Sequence, residues 1–300
     1  MGKLRIVGGK ISNGFYNLPR ILIINFYRLF IWIRVINPKK IPYNKSAIFA
    51  FNHTTGADPL IALGALRKKI IFVTDSERFS NRLSSFFFRK FLNSIPIFKE
   101  QFNKNVKSFK ELFSISGNKK VFFGIFPEGD LYKHDKFGKF RGGAAYLSYK
   151  TKLPIIPVYL HNLSKGPGEN TWLGRHPTAE GIMSLFMNTF RKVHVFIGEP
   201  IDPVAENIME DLKELADKNA YKKAIQQITQ ELEEEFQELR VEADKLFTGK
   251  KSKISVEIKT DSFAGSTANI LEDDEDDDEN FFDDTLDDND ILGNAGHAKS

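Results

Sequence analysis

His53 lies five residues ahead of an aspartate in Asn52-His53-Thr54-Thr55-Gly56-Ala57-Asp58-Pro59, and it is the only one of six histidines so placed. A neutral imidazole near pH 7 can take the proton of an alcohol as that alcohol attacks an acyl carbonyl. A carboxylate behind the ring fixes its tautomer and stabilises the imidazolium that forms. The same residues also read as a helix N-cap, Asp58, followed by proline at the first helical position, and one aspartate can fill both roles. A second candidate is Phe126-Pro127-Glu128-Gly129, at the end of an apolar run. There a glutamate can accept hydrogen bonds from substrate hydroxyls, and glycine permits a tight turn. An ordinary surface turn gives the same local pattern. A third set is basic: Lys99, then Lys133, Lys136, Lys139 and Arg141. A phosphate needs such donors, although singly each is an ordinary surface charge.

Other chemistries lack their residues. The chain has no cysteine, hence no thiolate nucleophile and no disulfide, which fits a reducing compartment. It has no Gly-x-Ser-x-Gly elbow. Gly124 and Gly129 have the spacing of a phosphate-binding loop, but Asp130 stands where that loop needs lysine. His134, His161, His176, His194 and His297 show no paired metal-ligand spacing, and His194, inside Val-His-Val-Phe-Ile, reads as structural.

The candidates need a scaffold, and the chain supplies an alternating one. Strand-like runs at 46–51, 70–74, 95–98, 121–126, 155–160 and 193–198 alternate with helical patterns at 59–68, 86–93, 106–113 and 142–150. That alternation predicts an α/β fold with a mainly parallel central sheet flanked by helices, and a surface loop over 161–177. The predicted organisation is an N-terminal helical segment over 1–42, the α/β domain over 43–203, a helix or helix pair over 204–248 and a disordered tail over 249–300, basic and then acidic.

The most apolar stretch, Ile21–Ile36, holds 16 residues including Asn25, Arg28 and Arg34. A spanning helix needs about 20 apolar residues. As a helix it gathers Arg20, Arg28 and Arg34 within a wedge of roughly 120°, which suits a helix lying in a lipid interface. A core helix with snorkelling arginines fits as well. A cleaved signal is disfavoured by Asn37-Pro38-Lys39-Lys40.

The formal charge of +4 hides an asymmetry, since residues 271–300 hold 13 of 39 acids and leave +16 on residues 1–270. So basic a body suits an anionic membrane surface, a phosphorylated substrate or nucleic acid. Nucleic acid is disfavoured, because the aromatic residues sit in apolar runs rather than among the bases. A non-catalytic basic protein that binds a membrane surface or nucleic acid is the rival reading from another class.

In order along the chain, Asn52-His53-x4-Asp58, Ile95-Pro96-Ile97-Phe98-Lys99, Phe126-Pro127-Glu128-Gly129 and Leu153-Pro154-Ile155-Ile156-Pro157-Val158 resemble the four sequence blocks of the glycerolipid acyltransferases. The type it looks most like is the bacterial 1-acylglycerol-3-phosphate acyltransferase, over roughly residues 46–202. The resemblance implies transfer of an acyl chain from acyl carrier protein, acyl-CoA or a similar donor to lysophosphatidic acid, giving phosphatidic acid without an acyl-enzyme. It implies no metal or organic cofactor. His53 would be the base and Asp58 its orienting acid; Glu128 and Gly129 would shape the acceptor site, and Pro154 the fourth block. Lys99 stands where the family usually has a phosphate-binding arginine. The pattern breaks at Asp130-Leu131-Tyr132, in place of the usual Thr-Arg-Ser. Lys133, Lys136 or Arg141 would have to supply the lost charge, and glycerol phosphate or another lysophospholipid is an alternative acceptor. An acceptor with one chain partitions into membrane, so a helix over Ile21–Ile36 and the basic body predict a peripheral or monotopic enzyme on the cytoplasmic face of the cell membrane.

Overall fold

The computed structural model describes residue 25 and residues 31–42, 44–80, 82–98, 102–118, 120–131, 137–164, 177–203 and 220–248. Seven strands, β1 Trp32–Ile36, β2 Ala47–Phe51, β3 Ile70–Asp75, β4 Ile95–Ile97, β5 Phe122–Ile125, β6 Ile155–His161 and β7 Lys192–Ile197, form one sheet in the order β1-β7-β6-β2-β5-β3-β4. All neighbours are parallel except β6 and β7, so the expected mainly parallel α/β sheet is present. The helices are α1 Asp58–Leu66, α2 Arg82–Phe86 (continued by a π-turn over Phe87–Phe91), α3 Phe102–Asn118, α4 Gly143–Thr151, α5 Pro177–Met187 and α6 Ala220–Thr248.

The central strands read as unbroken apolar runs because both their faces are covered. On one face Ile48, Ala50, Phe123, Ile125 and Ile155 pack with Phe109 and Leu112 of α3, Ala144 and Leu147 of α4, and Ile225, Ile228, Leu232 and Phe236 of α6. On the other, Phe49, Phe51, Phe72, Phe122, Ile156 and Val158 pack with Leu60, Ile61, Leu63 and Leu66 of α1. Successive residues of β2 thus alternate between two cores, as the period of two requires.

Two expectations need correction. Helix over Ile21–Ile36 does not extend to its C-terminal end, for Trp32–Ile36 is a strand paired in parallel with β7. Ile33, Val35 and Ile36 are β-branched and favour the extended backbone, and a neighbouring strand rewards it with a hydrogen-bonded ladder. The sheet therefore starts before residue 43, at Trp32. Apart from Asn25 and Ile31, the remainder of that segment lies outside the described residues, as do the loop residues 165–176, the first part of the predicted C-terminal helix and the tail after Thr248. No helix among the described residues is long and apolar enough to cross a membrane. The second correction concerns Asp58, which is the first helical residue of α1 with Ala57 as its N-cap, rather than the N-cap itself.

His194 is packed into the fold, as its strand-like surroundings predict. It faces His161 across the β6–β7 pair, and Phe247 of α6 stacks on it with ring centroids 3.8 Å apart. Its Nδ1 is buried with no hydrogen-bond partner among the described residues. Burial lowers the pKa of both rings; His161 and the cations Arg34 and Lys192 lower that of His194 further, while Asp244 pulls His161 back up. Folded values below the ordinary 6.5 mean that the unfolded chain binds more protons as pH falls. The stability they confer is therefore complete above about pH 6.5 and is lost as pH falls through the folded values. Amide exchange in the last turn of α6, corrected for intrinsic rates, is expected to accelerate as pH is lowered from 7 to 5. In His161→Gln/His194→Gln this dependence should flatten.

Candidate active site

β2 and β5 are adjacent and parallel, yet the helices that follow them, α1 and α4, pack on opposite faces of the sheet. Such a switch point opens a crevice beyond the strand ends, where α/β sheets bind ligands. His53 leaves the end of β2 and Glu128 the end of β5, so residues 75 apart in sequence become neighbours: the His53 N–H donates to Glu128 Oε1 at 2.9 Å.

The end of β2 is fixed first. Asn52 donates its Nδ2–H to the Leu160 carbonyl at 3.2 Å and accepts the Leu160 N–H at 2.7 Å, extending the β2–β6 ladder through its side chain. The imidazole of His53 then stacks on Phe126, centroids 4.1 Å apart, and Phe126 rests against Phe51 and Phe72. His53 Nδ1 lies 3.0 Å from Asp58 Oδ2. With the proton on Nδ1, the other ring nitrogen presents its lone pair, and it has no hydrogen-bond partner among the described residues.

Asp58 is fully buried, and its charge is met by donors instead of a cation. Oδ2 also accepts the Thr54 and Thr55 N–H groups at 2.7 and 2.9 Å, and Oδ1 accepts the Thr55 hydroxyl at 2.8 Å. Its place in the first turn of α1 adds the favourable end of the helix dipole. A carboxylate held by this many donors keeps one orientation, and so does the imidazole bonded to it.

Glu128 braces two loops. Its Oε2 accepts the Gly138 N–H at 3.0 Å, so its two oxygens tie the loop after β5 to both the His53 loop and the chain leading into α4. Burial pushes its pKa up, while the Gly138 and His53 N–H groups pull it down. Gly129 has φ of +72°, a left-handed conformation costly for a side chain, and a Cβ there would come within 2.9 Å of Arg141 Nε. Arg141 is thereby placed over the loop; its N–H donates to the Pro127 carbonyl at 2.8 Å and its guanidinium lies 3.5 Å from Asp130 Oδ2.

The fold thus gathers His53, Asp58, Glu128, Gly129 and Arg141. Lys99 and Lys133 lie outside the described residues. Pro154 is at the far end of the sheet, where its carbonyl accepts the Ile48 N–H at the start of β2; the part of β6 that reaches the site is Leu160. Reading the sequence missed the stacking role of Phe126 and the donors Thr54 and Thr55, though all lie inside motifs it singled out. It missed Glu180 of α5 entirely: this buried carboxylate accepts the Gly56 N–H at 2.9 Å, and no local pattern announces it.

An α/β sheet carrying a carboxylate-oriented histidine at its switch point defines a domain equipped for proton transfer to and from a substrate hydroxyl. Residues 32–161 match the model of the Acyltransferase family, from the first residue of β1 to the last of β6. A curated relative, described as a probable 1-acyl-sn-glycerol-3-phosphate acyltransferase of Mycoplasma pneumoniae, is 26% identical over 153 residues, which are 47% of this chain and 56% of that protein. The chain therefore matches little more than half the length of that relative. Among solved structures, the 1-acyl-sn-glycerophosphate (LPA) acyltransferase PlsC of Thermotoga maritima aligns with a TM-score of 0.46 at 20% identity, over 75% of this chain and 83% of that one.

Proposed function

We propose that this chain moves a fatty acyl group from a thioester donor, acyl carrier protein or acyl-CoA, to the free hydroxyl of 1-acylglycerol-3-phosphate, giving phosphatidic acid. The observation that carries the proposal is the His53–Asp58 pair, 3.0 Å apart and stacked on Phe126 at the crevice between β2 and β5. His53 Nε2 takes the hydroxyl proton as the acceptor oxygen attacks the thioester carbon. Asp58 holds the ring in the tautomer with Nδ1–H and stabilises the imidazolium. The tetrahedral intermediate collapses with loss of the thiolate, which receives the proton from His53, so the base is restored and no acyl-enzyme forms. Glu128 and Gly129 shape the acceptor site, and Arg141, Lys99 and Lys133 supply charge for its phosphate. A body of +16 over residues 1–270 supports work at an anionic membrane surface, on its cytoplasmic face, where a one-chain acceptor partitions.

A second reading, an acceptor with a larger or cationic head group, is favoured by one feature: the Asp130 carboxylate lies 3.5 Å from the Arg141 guanidinium. A phosphate bound there must compete with that acid. The pair is half exposed, so its effect is small: Asp130→Asn is expected to lower KM for lysophosphatidic acid about 2- to 5-fold at low salt, fading as salt rises. A KM raised instead for a lysophospholipid with a cationic head group would mark Asp130 as the partner of that group. Transfer of radiolabelled acyl chains by purified protein in vesicles, across lysophosphatidic acid, glycerol 3-phosphate and other lysophospholipids, tests the reading as a whole. Failure with every acceptor would remove it.

A further inference from the structure

Four consecutive backbone N–H groups, those of His53, Thr54, Thr55 and Gly56, donate to three carboxylates. Glu128 takes the first, Asp58 the second and third, and Glu180 the fourth. The Ala57 N–H closes the set on Thr55 Oγ1 at 3.1 Å. Glu128 and Asp58 belong to the motifs, whereas Glu180 comes from α5, 124 residues from Gly56. It is 1% exposed, its other oxygen accepts the Ser184 hydroxyl at 2.8 Å, and it makes no ion pair among the described residues. An isolated carboxylate is costly to bury, and a site that keeps one must offer it strong donors. In return, a charged acceptor makes hydrogen bonds roughly twice as strong as a neutral one.

Close packing reinforces the contact. A Cβ on Gly56 would run into Glu180 Oε2 and approach Gly181 Cα to 2.9 Å, so two glycines bring the loop and α5 into backbone contact. Loop and helix are therefore packed backbone to backbone at the segment lying between His53 and Asp58.

From this geometry we infer that Glu180 is a positioning residue for the His53–Asp58 pair, acting through the Gly56 N–H. The inference rests on the proposed role of that pair. Removing the brace frees one of the four clamped amides and lets the loop relax, and misplacing a base by about 1 Å can cost on the order of 100-fold in rate. Because Glu180 touches neither imidazole nor the bond being made, the loss falls on kcat.

The test compares wild type with Glu180→Ala and Glu180→Gln in steady-state acyl transfer, alongside NMR titration of the His53 imidazole in the full chain without substrate. Glu180→Ala is expected to lower kcat about 10- to 100-fold, with acceptor KM changed less than about threefold, and to shift the His53 ring resonances and their titration midpoint. Glu180→Gln, whose amide oxygen can still accept the Gly56 N–H while its NH2 donates to Ser184, should recover kcat to within about fivefold of wild type. The inference is overturned if Glu180→Ala lowers only the unfolding temperature, leaving kcat and the His53 titration at wild-type values. Should Glu180→Ala not fold, Gly56→Ala decides it, because its Cβ would run into Glu180 Oε2 and displace the brace: wild-type kcat and an unperturbed His53 titration there would overturn the assignment. If wild type transfers no acyl group to any acceptor, the functional reading fails, yet the NMR arm still decides whether Glu180 sets the geometry of the imidazole.

Discussion

His53→Ala is expected to reduce acyl transfer by about 10³-fold, the middle of the range for a general base. The fold should survive, because the ring is partly exposed and makes one side-chain hydrogen bond among the described residues, to Asp58. Asp58 keeps the Thr54 N–H, Thr55 N–H and Thr55 hydroxyl when the ring is removed. Circular dichroism and the unfolding midpoint check that expectation beside the activity. Asp58→Ala would confuse the two effects, since it removes the acceptor of those three donors from a buried loop. A His53→Ala enzyme within tenfold of wild type would discard the base assignment, whatever the acceptor proves to be.

Phe236→Ala is expected to lower the free energy of unfolding by about 3–5 kcal/mol, the usual cost of emptying a fully buried phenylalanine site. Phe236, on α6, is wholly buried and meets Phe137 and Phe140 edge-on, with centroids 5.5 and 5.2 Å away. Such pairs add stabilisation of about 0.5–1.5 kcal/mol beyond the area they bury. The segment carrying Phe137 and Phe140 also supplies the Gly138 N–H that holds Glu128, so transfer activity should fall with stability. Urea unfolding followed by fluorescence or dichroism measures the loss. A change below 1 kcal/mol would mean that α6 is not part of the same core.

Much of the scaffold was legible because local chemistry and tertiary environment agree. The runs around Phe49, Phe123 and Ile156 are apolar without a break, as strands covered on both faces must be, and the steps Ile225, Ile228, Leu232, Phe236 and Leu239 follow the buried stripe of α6. Trp32–Ile36 was misread because a five-residue apolar run adjoining a longer one carries no period of its own. Its strand character comes from β7, a partner about 160 residues away. Asp58 was placed at the wrong helical position by one residue, since Asp-Pro satisfies both the cap and the first-turn preferences.

By itself the sequence determined the chemistry available: a histidine and an aspartate five apart, a glutamate beside a glycine at a strand end, no cysteine, and a basic body. Spacing along a strand-loop-helix is short-range, so the His53–Asp58 pairing is a property of one local turn. Only the tertiary structure decided that β5 lies beside β2 and brings Glu128 to the His53 amide, that Leu160 rather than Pro154 meets the site, and that α5 closes the fourth amide with Glu180. These contacts join segments separated by 75, 108 and 124 residues. What selects them is which apolar faces can be buried together, and no single segment carries that information.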